Sequence, residues 1–328
     1  MEVIFITRAK NPLFFSLERV FQLVKQGFGK DIQYEEVTVP HLGFNLKNIS
    51  FIKKKLRGAD NKALFHITGD ITYIAGVTPG SRTILTYHDI GYLKEYRGLK
   101  LKIIKWLYVE MPVRKARVVT TISESTKLEI VSYTRCNPEK VKVIPNPVDP
   151  GIGFVQKQFN KQKPRLLFLG STPNKNLDRV IEALRGLPCE LWIVGKPTET
   201  QLAALNKYEI DHHVERGLSD EEIADRYANC DLVLFPTLFE GFGLPIVEGF
   251  KAGRAVITSN LSPMKEIAEN AACLVDPMDS VSIRKGLEKL IGEDNFRENL
   301  IKMGFKIATR YEPTSIARLY KQTYQEIS

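Results

Sequence analysis

The chain has 328 residues, of which 43% are hydrophobic and 26% charged, the make-up of a soluble globular protein long enough for two domains. It contains no run of about 18 apolar residues and no signal-peptide pattern, since Met1–Thr7 already reads as a first strand; this excludes a membrane-spanning helix and predicts a cytosolic chain. The net charge of +9 is lopsided: residues 1–150 carry 24 Lys and Arg against 14 Asp and Glu, and the remainder is nearly neutral. The first half is therefore expected to meet an anionic partner, whether a membrane surface, a nucleic acid or an acidic polymer. Cys136, Cys189, Cys230 and Cys273 stand singly, which argues against a zinc site or a disulfide framework and predicts free thiols, mostly in cores.

Through residues 1–150, β-branched runs at Val3–Thr7, Gln33–Val39, Ala63–Ile67, Thr83–Tyr87, Val118–Thr121 and Val141–Ile144 alternate with helical patterns. That alternation predicts parallel βαβ units in an open doubly wound sheet, with ligands at the C-terminal ends of the strands. The loop after the first strand offers Arg8 and Lys10 but no glycine cluster, and no dinucleotide-binding G-x-G-x-x-G occurs. His66 and His88 each stand at a strand end. His66 reads as a structural histidine with satisfied partners, His88 as a functional group; Asp89 either orients the His88 ring or caps the following turn.

From Lys94 to Arg117 eight cations outnumber two acids and are interleaved with Leu99, Leu101, Ile103, Ile104, Trp106, Leu107 and Tyr108. Two readings stand: a peripheral anchor on an anionic membrane, which Lys53, Lys54, Lys55 and Arg57 would join, or a partly buried helix with snorkelling lysines. Nucleic acid is not expected, because no recognisable binding module or set of stacking aromatics is present. The stretch Thr121 to Thr126 offers N-caps for the next helix, residues 1–150 form the first domain, and the stretch 151–163 reads as a linker.

The second domain, residues 164–310, opens with strands at Arg165–Leu169 and Glu190–Val194. Between them, Ser171 to Leu177 is a loop that brings Lys175 to a helix start capped by Asn176. Arg216, Gly217 and Leu218 precede a capping box from Ser219 to Glu222. The centre of the chain is the run after the strand Asp231–Phe235, in which a glycine-rich turn, Glu240-Gly241-Phe242-Gly243, leads into a helix from Leu244 to Ala252. The first N–H groups of a helix lack intrahelical partners and carry partial positive charge, so this junction is a seat for a phosphate or a sugar hydroxyl. Glu240 lies in the turn and Glu248 one helical turn along; they either face one ligand or are solvated helix-start acids.

Glu240-Gly241-Phe242-Gly243-Leu244-Pro245-Ile246-Val247-Glu248 resembles the E-x7-E signature of retaining glycosyltransferases of family 4, which have the GT-B fold. Tyr227 to Asp231, Ala255 to Ser259, Met264 to Ile267 and Ala272 to Pro277 agree with the same family, closely in the C-terminal half and loosely in the N-terminal one. The resemblance implies two Rossmann-like domains facing across a cleft, with a last helix, residues 311–328, crossing back to the first. It implies Glu240 against donor-sugar hydroxyls, Glu248 on the ribose hydroxyls, Gly241, Phe242, Gly243 and Leu244 along the sugar and phosphates, and His88 meeting the sugar from the other domain. It places Ser171, Arg216 and Leu218 on the side of the nucleotide, and Arg8, Lys10 and Asp89 on that of the acceptor. Relatives usually offer Arg and Lys together in the Lys175 loop; here Asn174 takes the arginine's place, so that either Lys175 acts with less help or another cation, such as Arg8, Lys10 or Arg179, compensates.

The sequence contains no Asp-x-Asp, so no metal and no cofactor is expected: helix dipole, backbone N–H groups and Lys175 would hold the leaving diphosphate. Retention without an evident nucleophile fits front-face attack. The resulting expectation is a hexosyltransferase, with mannose one candidate sugar, that uses a GDP- or UDP-hexose and a glycan or lipid-linked acceptor of cell-surface polysaccharide synthesis. Its place would be the cytoplasm or the inner face of the plasma membrane. A non-catalytic nucleotide-sugar-binding subunit and a nucleotide-sugar epimerase are the alternatives.

Overall fold

A computed structural model describes residues 1–9, 16–30 and 32–328. They fall into two units, Met1–Pro147 with Pro313–Ser328, and Val148–Glu312. Lys10 lies outside the described residues.

The first unit carries strands β1 (Glu2–Thr7), β2 (Gln33–Thr38), β3 (Leu64–Thr68), β4 (Thr83–Tyr87), β5 (Val118–Thr121) and β6 (Val141–Val143). They form one parallel sheet in the order β2-β1-β3-β4-β5-β6. Successive strand residues point to opposite faces, and both faces are covered. Ile4, Ile6, Phe65, Ile67 and Leu85 pack with Tyr73, Val109 and Val113 on one side. Val3, Phe5, Leu64 and Ile84 pack on the other with Phe21, Val24, Ile316, Tyr320 and Tyr324.

The helix Pro313–Gln325 is thus part of this unit's core, and His66 ties it there. Its Nδ1 lies 2.7 Å from the Tyr324 hydroxyl and its Nε2 2.7 Å from Thr86 Oγ1, which in turn meets Thr120 Oγ1. Burial drives the His66 pKa down to about 3, so the ring is a neutral structural link, as its sequence context suggested.

The basic stretch is helical from Gly98 to Lys105, widens into a π-helical turn over Trp106–Glu110, and resumes as Met111–Lys115. Leu101, Ile104, Leu107 and Tyr108 pack against the core, whereas Leu99, Ile103 and Trp106 are exposed. Among the described residues no helix is long and apolar enough to cross a membrane.

The second unit repeats the architecture with β7 (Arg165–Leu169), β8 (Glu190–Val194), β9 (Asp211–Glu215), β10 (Leu232–Phe235), β11 (Ala255–Ser259) and β12 (Cys273–Val275), ordered β12-β11-β10-β7-β8-β9, all parallel. Leu166, Phe168, Leu191, Ile193, Leu234 and Ile257 build the core on one face. On the other face, the helix Leu244–Lys251 sits so close that a Cβ on Gly249 would come within 2.8 Å of Val256 and 2.9 Å of Val233. That close approach fixes where the helix N-terminus stands relative to the strand ends.

In each sheet the direction of winding reverses once, between β1 and β3 in the first and between β7 and β10 in the second. The loops leaving adjacent strands diverge at such a point and open a crevice at their C-terminal ends. Those four loops contain Arg8, Asp70, Lys175 and Glu240.

Candidate functional site

At the switch point of the second unit, the loops after β7 and β10 are laced together around one carboxylate. Lys175 Nζ lies 2.6 Å from Glu240 Oε1, Thr237 Oγ1 2.9 Å from it, and Asn174 Nδ2 3.2 Å from it. Asn174 also joins the loops through the backbone: its carbonyl accepts from Leu238 N–H at 2.7 Å and its amide donates to the Phe239 carbonyl at 2.9 Å. Asn174 therefore acts as a latch between the two loops.

The lysine stem crosses Gly170, whose φ is +91°; a Cβ there would lie 2.8 Å from Lys175 Cε. The Lys175 ammonium also sits 4.9 Å from the centre of the Phe235 ring. Both charged side chains are about four-fifths removed from solvent, at 20% and 18% exposure, which strengthens their attraction beyond that of a surface pair.

Asn176 corrects an expectation. Its side chain makes no cap for the helix Leu177–Leu184; the residue is buried in the left-handed region at φ +70°, and its amide donates to the carbonyls of Pro236 and Pro277. Asn tolerates that backbone conformation, and spanning two carbonyls satisfies both amide protons. Arg179, named as a compensating cation, is held by Asn176 Oδ1 and the Met278 carbonyl.

The helix Leu244–Lys251 begins beside this pair, with Gly243 at its N-cap at φ +122° and Pro245 in its first turn. Gly241 and Leu244 are half-buried, while the Phe242 ring is turned inward, 5.7 Å from that of Tyr311, so what Phe242 can offer a ligand is its main chain. Glu248 is half-buried and receives the Tyr227 hydroxyl on Oε2 at 2.6 Å. Burial raises the Glu248 pKa to about 7, against the lowering effect of that hydrogen bond. Ser171 Oγ accepts from Lys196 N–H at 2.7 Å, bridging the ends of β7 and β8. Arg216 is exposed and Leu218 half-buried at the turn after β9, where the Ser219–Glu222 capping box forms.

In the first unit, Arg8, His88 and Asp89 line one cavity of about 340 Å³ together with Asp70, Thr72 and Tyr92. Arg8 is paired with Glu18 through two hydrogen bonds and with Asp70 at 3.5 Å. Asp89 Oδ1 accepts from Gly91 N–H, so of its two possible roles it takes the cap of the following turn. His88 Nε2 is buried with no hydrogen-bond partner among the described residues. Burial, reinforced by the Arg8 charge, lowers the His88 pKa to about 4, so a neutral imidazole nitrogen faces an unmet hydrogen bond.

Two residues that the sequence did not single out for the site belong to it by geometry, Tyr227 and Thr237, and Asn174, noted in the sequence only for standing in an arginine's place, serves as a latch. Thr237, three residues before Glu240, was within reach of a local reading. Tyr227 stands on a different helix from Glu248, and only its placement in a run that otherwise matched the family drew any attention to it.

Known proteins share both halves. A model of "Glycosyltransferase Family 4" matches residues 2–151 and one of "Glycosyl transferases group 1" matches residues 153–307. The MMP alpha-(1->4)-mannosyltransferase of Mycolicibacterium hassiacum is 30% identical over 201 residues, 56% of this chain and 48% of its own. The serotype-specific mannosyltransferase WbdA of Escherichia coli is 24% identical over 289 residues, 75% of this chain and 36% of its own. The matches thus span less than half of each of these relatives. Among solved structures, HepE of Anabaena in complex with UDP and glucose superposes with a TM-score of 0.79 at 16% identity, covering 99% of this chain and 100% of that one. A glycosyltransferase from Rickettsia africae superposes with a TM-score of 0.76 at 16% identity, over 99% and 98%.

Two Rossmann-like units of this kind define a GT-B protein. The chain belongs to glycosyltransferase family 4, whose models account for nearly all of it.

Proposed function

We propose that the chain is a retaining, metal-independent hexosyltransferase that moves a mannosyl or related unit from a GDP- or UDP-sugar to a glycan or lipid-linked acceptor at an anionic membrane surface. The names of the mannosyltransferase relatives support the sugar class, and the ligands of HepE support a nucleotide sugar. The observation that carries the reading is the pairing of Lys175 with Glu240 beside the N-terminus of the helix Leu244–Lys251.

In this reading the main chain at Gly243 and Leu244 receives the diphosphate, and Lys175, with three N–H donors and only one engaged on Glu240, bridges to it as negative charge develops. Glu240, held by Lys175, Thr237 and Asn174, presents its carboxylate to sugar hydroxyls, and Glu248 accepts from the ribose. His88 supplies one hydrogen bond to a hydroxyl entering its cavity. In the transfer, the bond from the anomeric carbon to the phosphate oxygen breaks as that to the acceptor oxygen forms. The acceptor proton passes to the leaving phosphate, so no protein nucleophile is consumed.

A thermal-shift screen of GDP, UDP, TDP and ADP sugars in excess EDTA tests this. One nucleotide class should raise the melting temperature, and at about 100 times its Kd the stabilisation should be about 2.7 kcal/mol. Silence from every nucleotide, or a response that needs added magnesium, would overturn the reading. Gly170→Ala should then lower turnover about 10-fold to 100-fold by displacing Lys175, and should also lower the melting temperature, because an alanine is strained at φ +91°. Initial rates at wild-type level would show that the lysine's position is immaterial.

A further inference from the structure

A second cavity in the first unit, of about 780 Å³, lies between the π-helical turn and the end of the helix Glu124–Thr134, lined by Lys105, Trp106, Arg114, Tyr133, Arg135 and Lys140 among others. Arg114 stands just before β5 and Lys140 just before β6, so the cavity belongs to the N-terminal edge of the strands. His88 and Asp89 leave β4 at the opposite edge. This cavity is therefore separate from the one that holds Arg8 and His88.

Its charge is one-sided. Four cations line it against Glu110, and Glu110 is already paired with Lys105 at 2.9 Å. Lys140 Nζ is held 3.1 Å from the Arg114 carbonyl. Arg114 and Arg135 are exposed, and Arg135 keeps a left-handed backbone at φ +53° that presents it at the helix end. Trp106 belongs both to this cavity and to an exposed apolar row with Leu99 and Ile103, at spacings of four and three residues along one helical face. Their exposures are 73%, 55% and 56% for Leu99, Ile103 and Trp106, and Arg97, Lys100 and Lys102 flank the row. An apolar row beside a cationic cavity complements a surface that offers phosphate groups above hydrocarbon.

We propose that this cavity seats the phosphate-bearing headgroup of an anionic membrane lipid while Leu99, Ile103 and Trp106 enter the acyl boundary. This deepens the membrane reading above by naming the docking site. A nucleic acid would use the cations but leaves the two aliphatic side chains without a role, since stacking needs aromatic rings.

The test is flotation of the full chain with phosphatidylcholine vesicles and with vesicles that also contain phosphatidylglycerol. Wild type should float with the anionic vesicles, with a blue shift of tryptophan emission that Trp106→Ala abolishes. The double variant Arg114→Ser with Arg135→Asn, in which Asn keeps the left-handed turn, should lose about 10-fold to 30-fold in partitioning to anionic vesicles. Ile103→Ser should weaken binding to both vesicle types, and all variants should keep the wild-type melting temperature and nucleotide response.

Failure of wild type to float, or full binding by the double-arginine variant, overturns the proposal. So do tighter binding to a single-stranded oligonucleotide than to vesicles, a dimer that Trp106→Ala dissociates, or occupation by free glycerol phosphate without vesicle recruitment. A chain that docks on vesicles yet responds to no nucleotide would sink the transferase reading and leave this one standing; the reverse result would do the opposite.

Discussion

Lys175→Ala is expected to lower turnover by about 10²-fold to 10³-fold, the usual cost of deleting one preorganised donor to developing negative charge, while nucleotide-sugar affinity falls only several-fold. Before any ligand arrives, the Lys175 ammonium and Glu240 are paired at 2.6 Å in a largely enclosed setting. In the proposed reaction a bound diphosphate would gain the lysine most fully as its bridging oxygen becomes a leaving group, so the interaction would strengthen in the transition state and its loss would appear in kcat. Removing the lysine also leaves Glu240 with only Thr237 and Asn174 as partners at Oε1 among the described residues. Glu240→Gln therefore serves as a partner control: if the two side chains act as a unit, the double variant should be no slower than the worse single one. Initial rates alongside calorimetric titration of the nucleotide sugar decide the matter. Equal losses in affinity and in turnover would remove Lys175 from the chemistry and make it a ligand-binding charge.

The strands were legible because a parallel sheet covered on both faces demands unbroken β-branched and aromatic runs, and β4, β5, β7 and β8 begin and end where those runs do. β9 was not legible for the same reason in reverse: Asp211-His212-His213-Val214-Glu215 is an edge strand, paired only with β8 and half-exposed, so its composition is that of a loop. The π-helical turn at Trp106–Glu110 lies inside an apolar periodicity that reads as continuous helix, since a widening of the hydrogen-bond ladder leaves no residue signature. Of the site, glycine positions and charge placement pointed to the junction at Leu244. What could not be read were contacts closed by tertiary packing: Asn176 looked like a cap from its place before a helix, but the turn puts it in the left-handed region, where its amide serves Pro236 and Pro277.

The same limit hid Tyr227, and the second large effect depends on it. Glu248→Gln should weaken nucleotide-sugar binding about 10-fold to 100-fold with a smaller change in kcat, because a carboxylate accepting ribose hydroxyls makes charge-assisted hydrogen bonds that an amide cannot replace. In the unliganded chain the Glu248 pKa is about 7, raised chiefly by burial. A raised folded pKa means that the folded state binds the proton more tightly than the unfolded one, so this group's contribution to stability is lost as pH rises from the ordinary carboxylate range through about 7. Ligand binding as proposed has the opposite sign: ribose hydroxyls would donate to the ionised form, so affinity should climb through the same window and level off above it. Tyr227→Phe removes the 2.6 Å hydrogen bond that favours the ionised carboxylate and should move both inflections upward by about one pH unit. Melting curves and nucleotide titrations from pH 5.5 to 8.5, intervals chosen to bracket a pKa of about 7, give the two profiles. A ligand-affinity profile that is flat in wild type, or one that Tyr227→Phe leaves in place, would detach Glu248 from the ribose, because Glu248 is the group that receives the Tyr227 hydroxyl.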